Sequence, residues 1–269
     1  MSSNILKLYE KVRDDLKFLT ASDVRTKIII VLNEGSKNLG DLKDKTNLNS
    51  STILHGMSQL EERNLILKKS GGYSLSQTGK IVALNLTNLI KASTSLGELE
   101  KILLKHEIEA IPEYLLERIG SLNNSFVVES TPTDVMKPQT VHAELLSKAN
   151  EVKYISSVLL PQKIEMFEEI LEKSSLQLML TEEVLEKWIE IKGRENLKKA
   201  LLEKDFKLWK IEDIKLSFTV ADNFLALGLF SVDGIYDLHK YLISEDKEAI
   251  EWGNRLFNYY LEQAEEVKL

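Results

Sequence analysis

The first third of the chain repeats apolar side chains at helical spacing. Residues 4–19 place them along one stripe, which predicts an amphipathic helix that needs a partner surface. Residues 24–33 follow a candidate cap at Ser22 and are apolar nearly all round, so this helix should be buried. Because the first proline is Pro112, this part of the chain contains no strong helix breaker and should be mostly helical.

The pattern then changes from helix to hairpin. A short segment over residues 39–45 precedes a predicted helix over 51–63, in which apolar residues recur at helical spacing and face inward. Two short strands, 65–69 and 73–77, flank a Ser-Gly-Gly turn and predict a hairpin, after which a further helix runs to about residue 91. The outer face of the 51–63 helix is left small and polar: Ser50, Ser51, Thr52, His55, Gly56 and Gln59.

The order helix, helix, helix, hairpin, helix is that of a winged helix-turn-helix. Two strings, Leu60-Glu-Glu-Arg-Asn-Leu-Ile and Lys68-Lys69-Ser-Gly-Gly-Tyr-Ser-Leu-Ser-Gln-Thr-Gly-Lys, resemble transcription regulators of the ArsR and MarR type. The resemblance implies a recognition helix in the major groove and a wing against the phosphates. Short polar side chains allow close approach to base edges, and lysines on a wing release counterions. The DNA-contact candidates are therefore Ser50, Ser51, Thr52, His55, Gln59, Lys68, Lys69 and Tyr73.

Charge is distributed unevenly along the chain. The net charge is -7, but residues 22–80 carry nine Lys or Arg against six Asp or Glu, or +3, so the remainder carries -10. A basic segment on an acidic body favours double-stranded DNA as its partner. However, the 51–63 helix has no outward Arg or Lys before Arg63, so the commonest guanine contact is missing. The alternative is a winged-helix protein–protein interaction adaptor that does not bind DNA.

A second apolar series runs from residue 81 to residue 104. Residues 92–95, Ala-Ser-Thr-Ser, predict a break and a new helix cap inside it. The series is longer than one small domain can bury. With the 4–19 stripe it predicts a two-fold homodimer interface that spaces two recognition helices about one DNA turn apart. The alternative is packing against the second domain of the same chain.

Beyond residue 125 short strands alternate with helices, which predicts an α/β domain. Two apolar runs around Asp222-Asn223 predict an antiparallel hairpin within its sheet, and the last helix should run over about 246–266. The other expected strands are 126–130, 152–159, 176–180 and 206–211, and the other expected helices are 138–150, 162–173 and 181–203.

This half of the chain is similar to the effector domain of archaeal winged-helix regulators described as methanogenesis regulators. Three strings carry the likeness: Ile108-Glu-Ala-Ile-Pro112 onward, Leu229-Phe-Ser-Val-Asp-Gly-Ile-Tyr-Asp237, and Ala249-Ile-Glu-Trp-Gly-Asn-Arg-Leu-Phe-Asn-Tyr-Tyr260. The likeness implies a DNA-binding regulator with a sensing domain. The element order also looks like half of a phospholipase D-like fold. Enzymes of that fold need a His-x-Lys and an Asp, whereas this chain has only Asp222, so the half would be degenerate and phosphodiesterase chemistry is not expected.

Other chemistry finds little support in the sequence. The chain has no cysteine, and its four histidines are far apart, so we expect no thiol chemistry, no metal and no cofactor, and no enzyme activity. A beginning without a basic-then-apolar leader, and no apolar run near membrane-span length, predict a cytoplasmic protein without a membrane partner. Candidate contacts for a small-molecule effector are polar or aromatic groups among apolar strands: Tyr114, Tyr154, Trp209, Tyr236 and Asp237.

The sequence therefore predicts an α+β multidomain protein. Its expected parts are an N-terminal dimerisation helix (1–21), a winged helix-turn-helix DNA-binding domain (22–91), a helical linker (92–125) and a degenerate phospholipase D-like α/β effector domain (126–269). The expected function is that of a dimeric transcription regulator that senses a ligand or a partner protein.

Overall fold

The computed structural model describes residues 2–268, with the side chains of residues 4–100, 102–160 and 163–268. Residues 1 and 269, which bound the expected 1–21 and 126–269 segments, lie outside the described residues. The chain divides into two compact units, an N-terminal unit (Met1–Leu89) and a C-terminal unit (Ile90–Leu269). None of the described helices is long and apolar enough to cross a membrane.

The N-terminal unit is built from helices and one hairpin. Its elements are α1 (Ser2–Thr20), α2 (Asp23–Asn33), α3 (Leu39–Thr46), α4 (Ser50–Glu62), the hairpin strands β1 (Ile66–Lys69) and β2 (Gly72–Leu75), and the first part of α5 (Gln77–Leu103). Side chains start three of these helices: Ser22 Oγ accepts from the backbone of Arg25, Asn38 and Asp41 form a capping box, and Asn49 Oδ1 accepts from the amide of Thr52 at 2.9 Å.

The core of this unit lies where α2, α3 and α4 meet the hairpin. Ile28, Leu42, Ile53 and Leu60 are fully buried in it. One expectation is wrong here. Gly56 faces inward instead of outward: a Cβ on it would lie 2.7 Å from Val24 Cγ1. Helices α2 and α4 therefore approach each other too closely for any side chain at that position.

The expected break at residues 92–95 is also wrong, because α5 is continuous from Gln77 to Leu103. The hydroxyls of Thr94 and Ser95 donate to the carbonyls of Ile90 and Lys91, one turn earlier, at 3.0 Å each. A serine or threonine hydroxyl that donates to a carbonyl of its own helix does not require the helix to end there. The polar residues 92–95 therefore fit inside a continuous helix.

The C-terminal unit contains a mixed eight-stranded sheet in the order β10-β6-β5-β4-β7-β8-β9-β3. Strands β4, β5 and β6 are parallel, and the other neighbours are antiparallel. The strands are β3 (Phe126–Glu129), β4 (Glu151–Ser156), β5 (Ser175–Thr181), β6 (Phe206–Ile211), β7 (Leu216–Ala221), β8 (Leu225–Leu229), β9 (Lys240–Ser244) and β10 (Glu265–Glu266).

Helices cover both faces of this sheet. One core contains α7 (Lys137–Leu146), α8 (Pro161–Leu171), α9 (Glu182–Lys192) and α10 (Arg194–Glu203), and the other contains α6 (Glu113–Leu116) and α11 (Lys247–Leu261). Alternate side chains of one strand pack into the two different cores. On β4, Tyr154 packs into one core and Ile155 into the other. The expected single helix over 181–203 is wrong: it is divided by Gly193, whose φ of 80° an L-residue rarely adopts.

Residues 92–125 differ from a free linker. Leu99, Ile102, Leu115 and Leu122 are buried in the same core as α11. The indole nitrogen of Trp252 donates to the carbonyl of Leu115 at 3.0 Å. The apolar side chains of this segment are thus part of the hydrophobic core of the C-terminal unit. Strand β9, which lies between β8 and β3, has no counterpart among the elements expected from sequence.

Candidate functional site

The outer face of α4 presents most of the residues expected to contact DNA. Ser50, Ser51 and His55 are exposed, and Thr52 and Gln59 are half-buried. The hydroxyl of Ser51 donates to Asn49 Oδ1, the atom that also accepts from the amide of Thr52. The first turn of the helix is thus fixed by its cap, with small polar groups around it.

A cation reaches this face from a neighbouring helix. Arg25, in the first turn of α2, donates from Nη1 to Gln59 Oε1 at 2.7 Å, and Gln59 Nε2 lies 3.1 Å from His55 Nε2. The guanidinium is held in place because its Nε donates to the carbonyl of Phe18 at 2.8 Å and its carbon lies 4.2 Å from the centre of that ring. Arg25, Gln59 and His55 form a continuous row, called the Arg25 row below.

The helical pattern of α4 does not reveal this arginine, because Arg25 lies on a different helix, 34 residues before Gln59. Arg63, the cation at the end of α4, is less available: its guanidinium carbon also lies over the ring of Phe18, at 4.2 Å, and its guanidinium pairs with Asp15. A sequence signal for Arg25 did exist, since a basic residue stands in the first turn of a largely apolar helix, seven residues after Phe18.

The hairpin carries two exposed lysines at its tip. Lys68 and Lys69 have no ion pair among the described residues, and Lys69 stands opposite Gly72 in the hairpin register. Tyr73 faces elsewhere: its backbone exchanges hydrogen bonds with Lys37 at 2.8 and 3.0 Å, and its half-buried ring packs against the N-terminal core. The lysines are therefore the accessible charges of the hairpin.

The five effector candidates separate into two groups. Tyr154 and Tyr236 line one small inner pocket of the C-terminal unit, beneath the helices of the first core. The other three lie elsewhere. Trp209 packs on Phe257 with ring centres 6.3 Å apart, Tyr114 is exposed, and Asp237 accepts from His106 Nε2 at 3.0 Å.

Lys163 and His142 complete that pocket. Both are buried and ionisable, and neither is among the effector candidates expected from sequence. Lys163, on α8, donates to the hydroxyl of Tyr154, and its Nζ lies 4.6 Å from the centre of that ring. His142, on α7, has its Nε2 2.8 Å from the hydroxyl of Thr219 on β7. Burial lowers the pKa of Lys163 to about 7. Burial, and then the charge of Lys163, lower the pKa of His142 well below its ordinary value of 6.5.

A larger cavity of about 610 Å³ lies outside this pocket, between α7 and α8, and both Lys163 and His142 line it. Its volume is that of a small-molecule site. The sequence did carry a signal: Lys163 stands at helical spacing from the buried Phe167 and Ile170, where an apolar residue is expected. Among the described residues, no three His, Asp or Glu side chains are placed to hold a metal ion.

Two family models match consecutive parts of the chain. Residues 13–94 match the N-terminal domain of the methanogenesis regulatory protein FilR1, and residues 135–263 match its middle domain. A curated relative, methanogenesis regulatory protein FilR1 of Methanothrix harundinacea (strain 6Ac), is 30% identical over 261 residues. That match covers 94% of this chain and 58% of the relative, so the chain spans a little over half of the relative's length.

Solved structures show weaker likenesses. The archaeal chromatin protein TrmBL2 is 15% identical, with 91% of this chain and 94% of that one covered and a TM-score of 0.43. NucT from Helicobacter pylori is 13% identical over 53% of this chain and 98% of that one, with a TM-score of 0.40. The phospholipase D family member Nuc from Salmonella typhimurium is 9% identical over 54% of this chain and 99% of that one, with a TM-score of 0.39. These scores are too low to establish a shared fold.

Proposed function

Since the chain carries an N-terminal and a middle domain of the FilR1 type, we propose that it is a DNA-binding transcription regulator. Residues 22–91 act as a winged helix-turn-helix, with α4 as the recognition helix and the β1–β2 hairpin as the wing. The observation that carries this proposal is the Arg25 row on the outer face of α4, in the same unit as two unpaired hairpin lysines.

The Arg25 row supplies the contact that α4 lacks by itself. A guanidinium is the commonest reader of guanine, through its O6 and N7 acceptors in the major groove. Arg25 keeps a planar group beside Gln59, and the stacking on Phe18 fixes its orientation before any DNA is bound. Glutamine is itself a reader of adenine, so the pair offers two base-reading groups side by side. The capped first turn, with Ser50 and Ser51, would face phosphate oxygens.

The wing contributes charge. Each lysine that neutralises a phosphate releases a counterion, so the observed affinity falls with salt in proportion to the number of such contacts. We expect the Lys68→Ala, Lys69→Ala double variant to weaken binding to any duplex and to reduce the slope of log K against log salt by about one to two. Fluorescence anisotropy with a random-sequence duplex at several salt concentrations measures both quantities.

The matched control removes two lysines from the C-terminal unit. Lys148 and Lys198 are also exposed and have no ion pair among the described residues, so the Lys148→Ala, Lys198→Ala variant loses the same charge. It should keep the wild-type salt slope. If both double variants lower the slope equally, the wing makes no special contact. If the wild-type chain does not bind duplex even at low salt, the DNA-binding proposal fails and the interaction adaptor takes its place.

We further propose that the regulator is a homodimer in which α1 lies at the interface. The side chains of residues 4–17 are all exposed, and those of Ile5, Leu8, Val12 and Leu16 remain 43–67% accessible along one stripe. A second copy of the same helix buries such a stripe symmetrically. Light scattering should therefore give a dimer for the wild-type chain.

The dimer test compares two double variants on adjacent stripes of α1. Leu8→Gln with Val12→Gln should shift the mass toward a monomer, because it removes apolar area from the stripe. The control Lys7→Gln with Lys11→Gln changes exposed residues at the same spacing and should leave the dimer intact. A wild-type monomer at micromolar concentration overturns the proposal.

The C-terminal unit is proposed as the sensor. Support comes from the cavity between α7 and α8, which is large enough for a metabolite and reaches two buried polar side chains. A ligand that binds one DNA-binding state of the dimer more tightly than the other shifts the population toward that state.

A further inference from the structure

We infer that the cavity between α7 and α8 binds a small organic acid, with its carboxylate at Lys163 and an apolar body between the two helices. This inference rests on the sensing role proposed above and specifies the chemical class of the ligand. It is argued from the lining of the cavity, from the charge of the buried side chains and from one unpaired polar atom.

The wall of the cavity is largely apolar. Side chains from both helices and from the segment before α7 supply it: Val135, Met136, Ala143, Leu146, Met166 and Ile170. Met136 and Val135 remain half exposed at its mouth, and methionine adapts readily to different apolar shapes. A volume of about 610 Å³ accommodates an acyl chain or a ring system, so hydrophobic burial would provide most of the binding free energy.

Below the lysine's pKa of about 7, the inner end of the cavity carries one positive charge without a counter-charge among the described residues. Lys163 is 8% exposed, and its Nζ has no carboxylate within ion-pair distance among the described residues. The two carboxylates that line the cavity, Glu165 and Glu169, are exposed to solvent. A buried ammonium is costly unless an anion accompanies it, so an incoming carboxylate would gain a partner and stabilise the charged amine.

The number of charges favours a monoanion. His142 is held neutral by its burial, with its pKa well below 6.5, so Lys163 is the single cation at the inner end among the described residues. A phosphate dianion is normally met by several cations or by a set of backbone amides, whereas one ammonium matches one carboxylate. The rings of Tyr154 and Tyr241, whose centres lie 4.6 and 5.8 Å from the ammonium, leave that charge attractive but not neutralised.

One polar side chain of the cavity wall has a buried atom without a hydrogen-bond partner among the described residues. Gln139 lines the cavity and donates from Nε2 to the carbonyl of Leu238 at 2.5 Å, while its Oε1 is buried and accepts no hydrogen bond from the described residues. A buried acceptor normally has a donor. A hydroxyl or amide N–H on the body of the acid would supply it once the Gln139 side chain turns toward the cavity.

Calorimetric titration of the 269-residue chain at about pH 6.5, without DNA, tests this inference with three probes that share one alkyl chain. Decanoate carries a carboxylate head group. Decanol has an uncharged hydroxyl instead, and decyl phosphate has a phosphate in place of the carboxylate. We expect decanoate to bind at least about tenfold more tightly than decanol, from the strength of a charge-assisted hydrogen bond, and more tightly than decyl phosphate. Equal affinities for decanoate and decanol, or a preference for the phosphate, would overturn the inference.

Variants locate the site. Lys163→Met should remove the preference for decanoate over decanol while keeping apolar binding, whereas Lys173→Met, at an exposed lining position, should keep the preference. Ala143→Trp fills the cavity from an exposed helix position and should weaken both probes. Should Lys163→Met fail to fold, the pH dependence of the wild-type chain serves instead: the decanoate preference should fall by at least about threefold from pH 6.5 to pH 8.5, as the amine loses its charge.

A preference that survives Lys163→Met, or that does not change with pH, contradicts the role of this lysine, and undiminished binding to Ala143→Trp contradicts the location. Since no DNA is present in these titrations, their failure leaves the DNA-binding proposal intact, and a failure to bind duplex leaves the ligand site intact.

Discussion

Replacing the buried Lys163 by methionine should change how the stability of the C-terminal unit depends on pH. Lys163 is 8% exposed, and burial lowers the pKa of its amine from 10.5 to about 7. Between these two values the unfolded chain binds a proton that the folded chain does not hold. The free energy of unfolding of the wild-type protein should therefore rise as the pH increases through this range, and methionine, which does not titrate, should abolish that contribution.

The magnitude follows from the two pKa values. With about 7 in the folded state and 10.5 in the unfolded state, the lysine contributes a rise of about 2 kcal/mol in unfolding free energy between pH 7 and pH 9. This window isolates the amine from its neighbours. His142, with a lowered pKa, titrates below it, and burial raises the pKa of Tyr236 and Tyr241 above 10, beyond its upper end.

Urea unfolding followed by tryptophan fluorescence measures the effect. All three tryptophans, at positions 188, 209 and 252, lie in the C-terminal unit, so the signal reports on that unit in the full chain. The exposed Lys148→Met serves as a control and should retain the wild-type pH dependence. The reasoning is refuted if the difference in unfolding free energy between wild type and Lys163→Met is the same at pH 7 and pH 9.

Two further predictions concern helices. Gly56→Ala should destabilise the N-terminal unit by about 1–3 kcal/mol, since its Cβ would overlap a side chain of α2, whereas Gly97→Ala, at an open helix position, should stabilise by about 0.5–1 kcal/mol. Calorimetric unfolding measures both, and effects of the same sign would contradict the packing described. Asn49→Ala should cost about 1 kcal/mol, because it leaves the amide of Thr52 without its cap, and Asn49→Ser should restore most of it. An unchanged melting temperature in Asn49→Ala would show that the cap contributes nothing.

The sequence can group the DNA-contact candidates only where they lie on the same helix. Ser50, Ser51 and His55 share a face because helical spacing alone decides it, and the structure exposes all three. Tyr73 was chosen by position in the hairpin, but its ring packs against the N-terminal core, which strand alternation by itself does not reveal when both faces are half-buried. Arg25 was not chosen, because it reaches Gln59 across 34 residues of sequence.

The effector candidates depend even more on contacts between distant elements, which the sequence does not reveal. Aromatic side chains among apolar strands were selected by residue type, and only Tyr154 and Tyr236 meet at the inner pocket. Lys163 and His142 were overlooked, although each occupies an apolar position in its helical pattern. A polar residue at such a position signals burial, but it does not say which partners will surround it.

Local patterns in the sequence predict the local structure of this protein: the amphipathic helix α1, the cap at Ser22, the hairpin, and most strands of the C-terminal sheet. These features depend on side chains within a few residues of one another, and the 3.6 and 2.0 periodicities record them. The packing of distant elements places the guanidinium of α2 beside α4 and the ammonium of α8 beside a tyrosine of β4. Periodicity states which face of an element is buried, whereas the partner across that face is set by how distant elements pack.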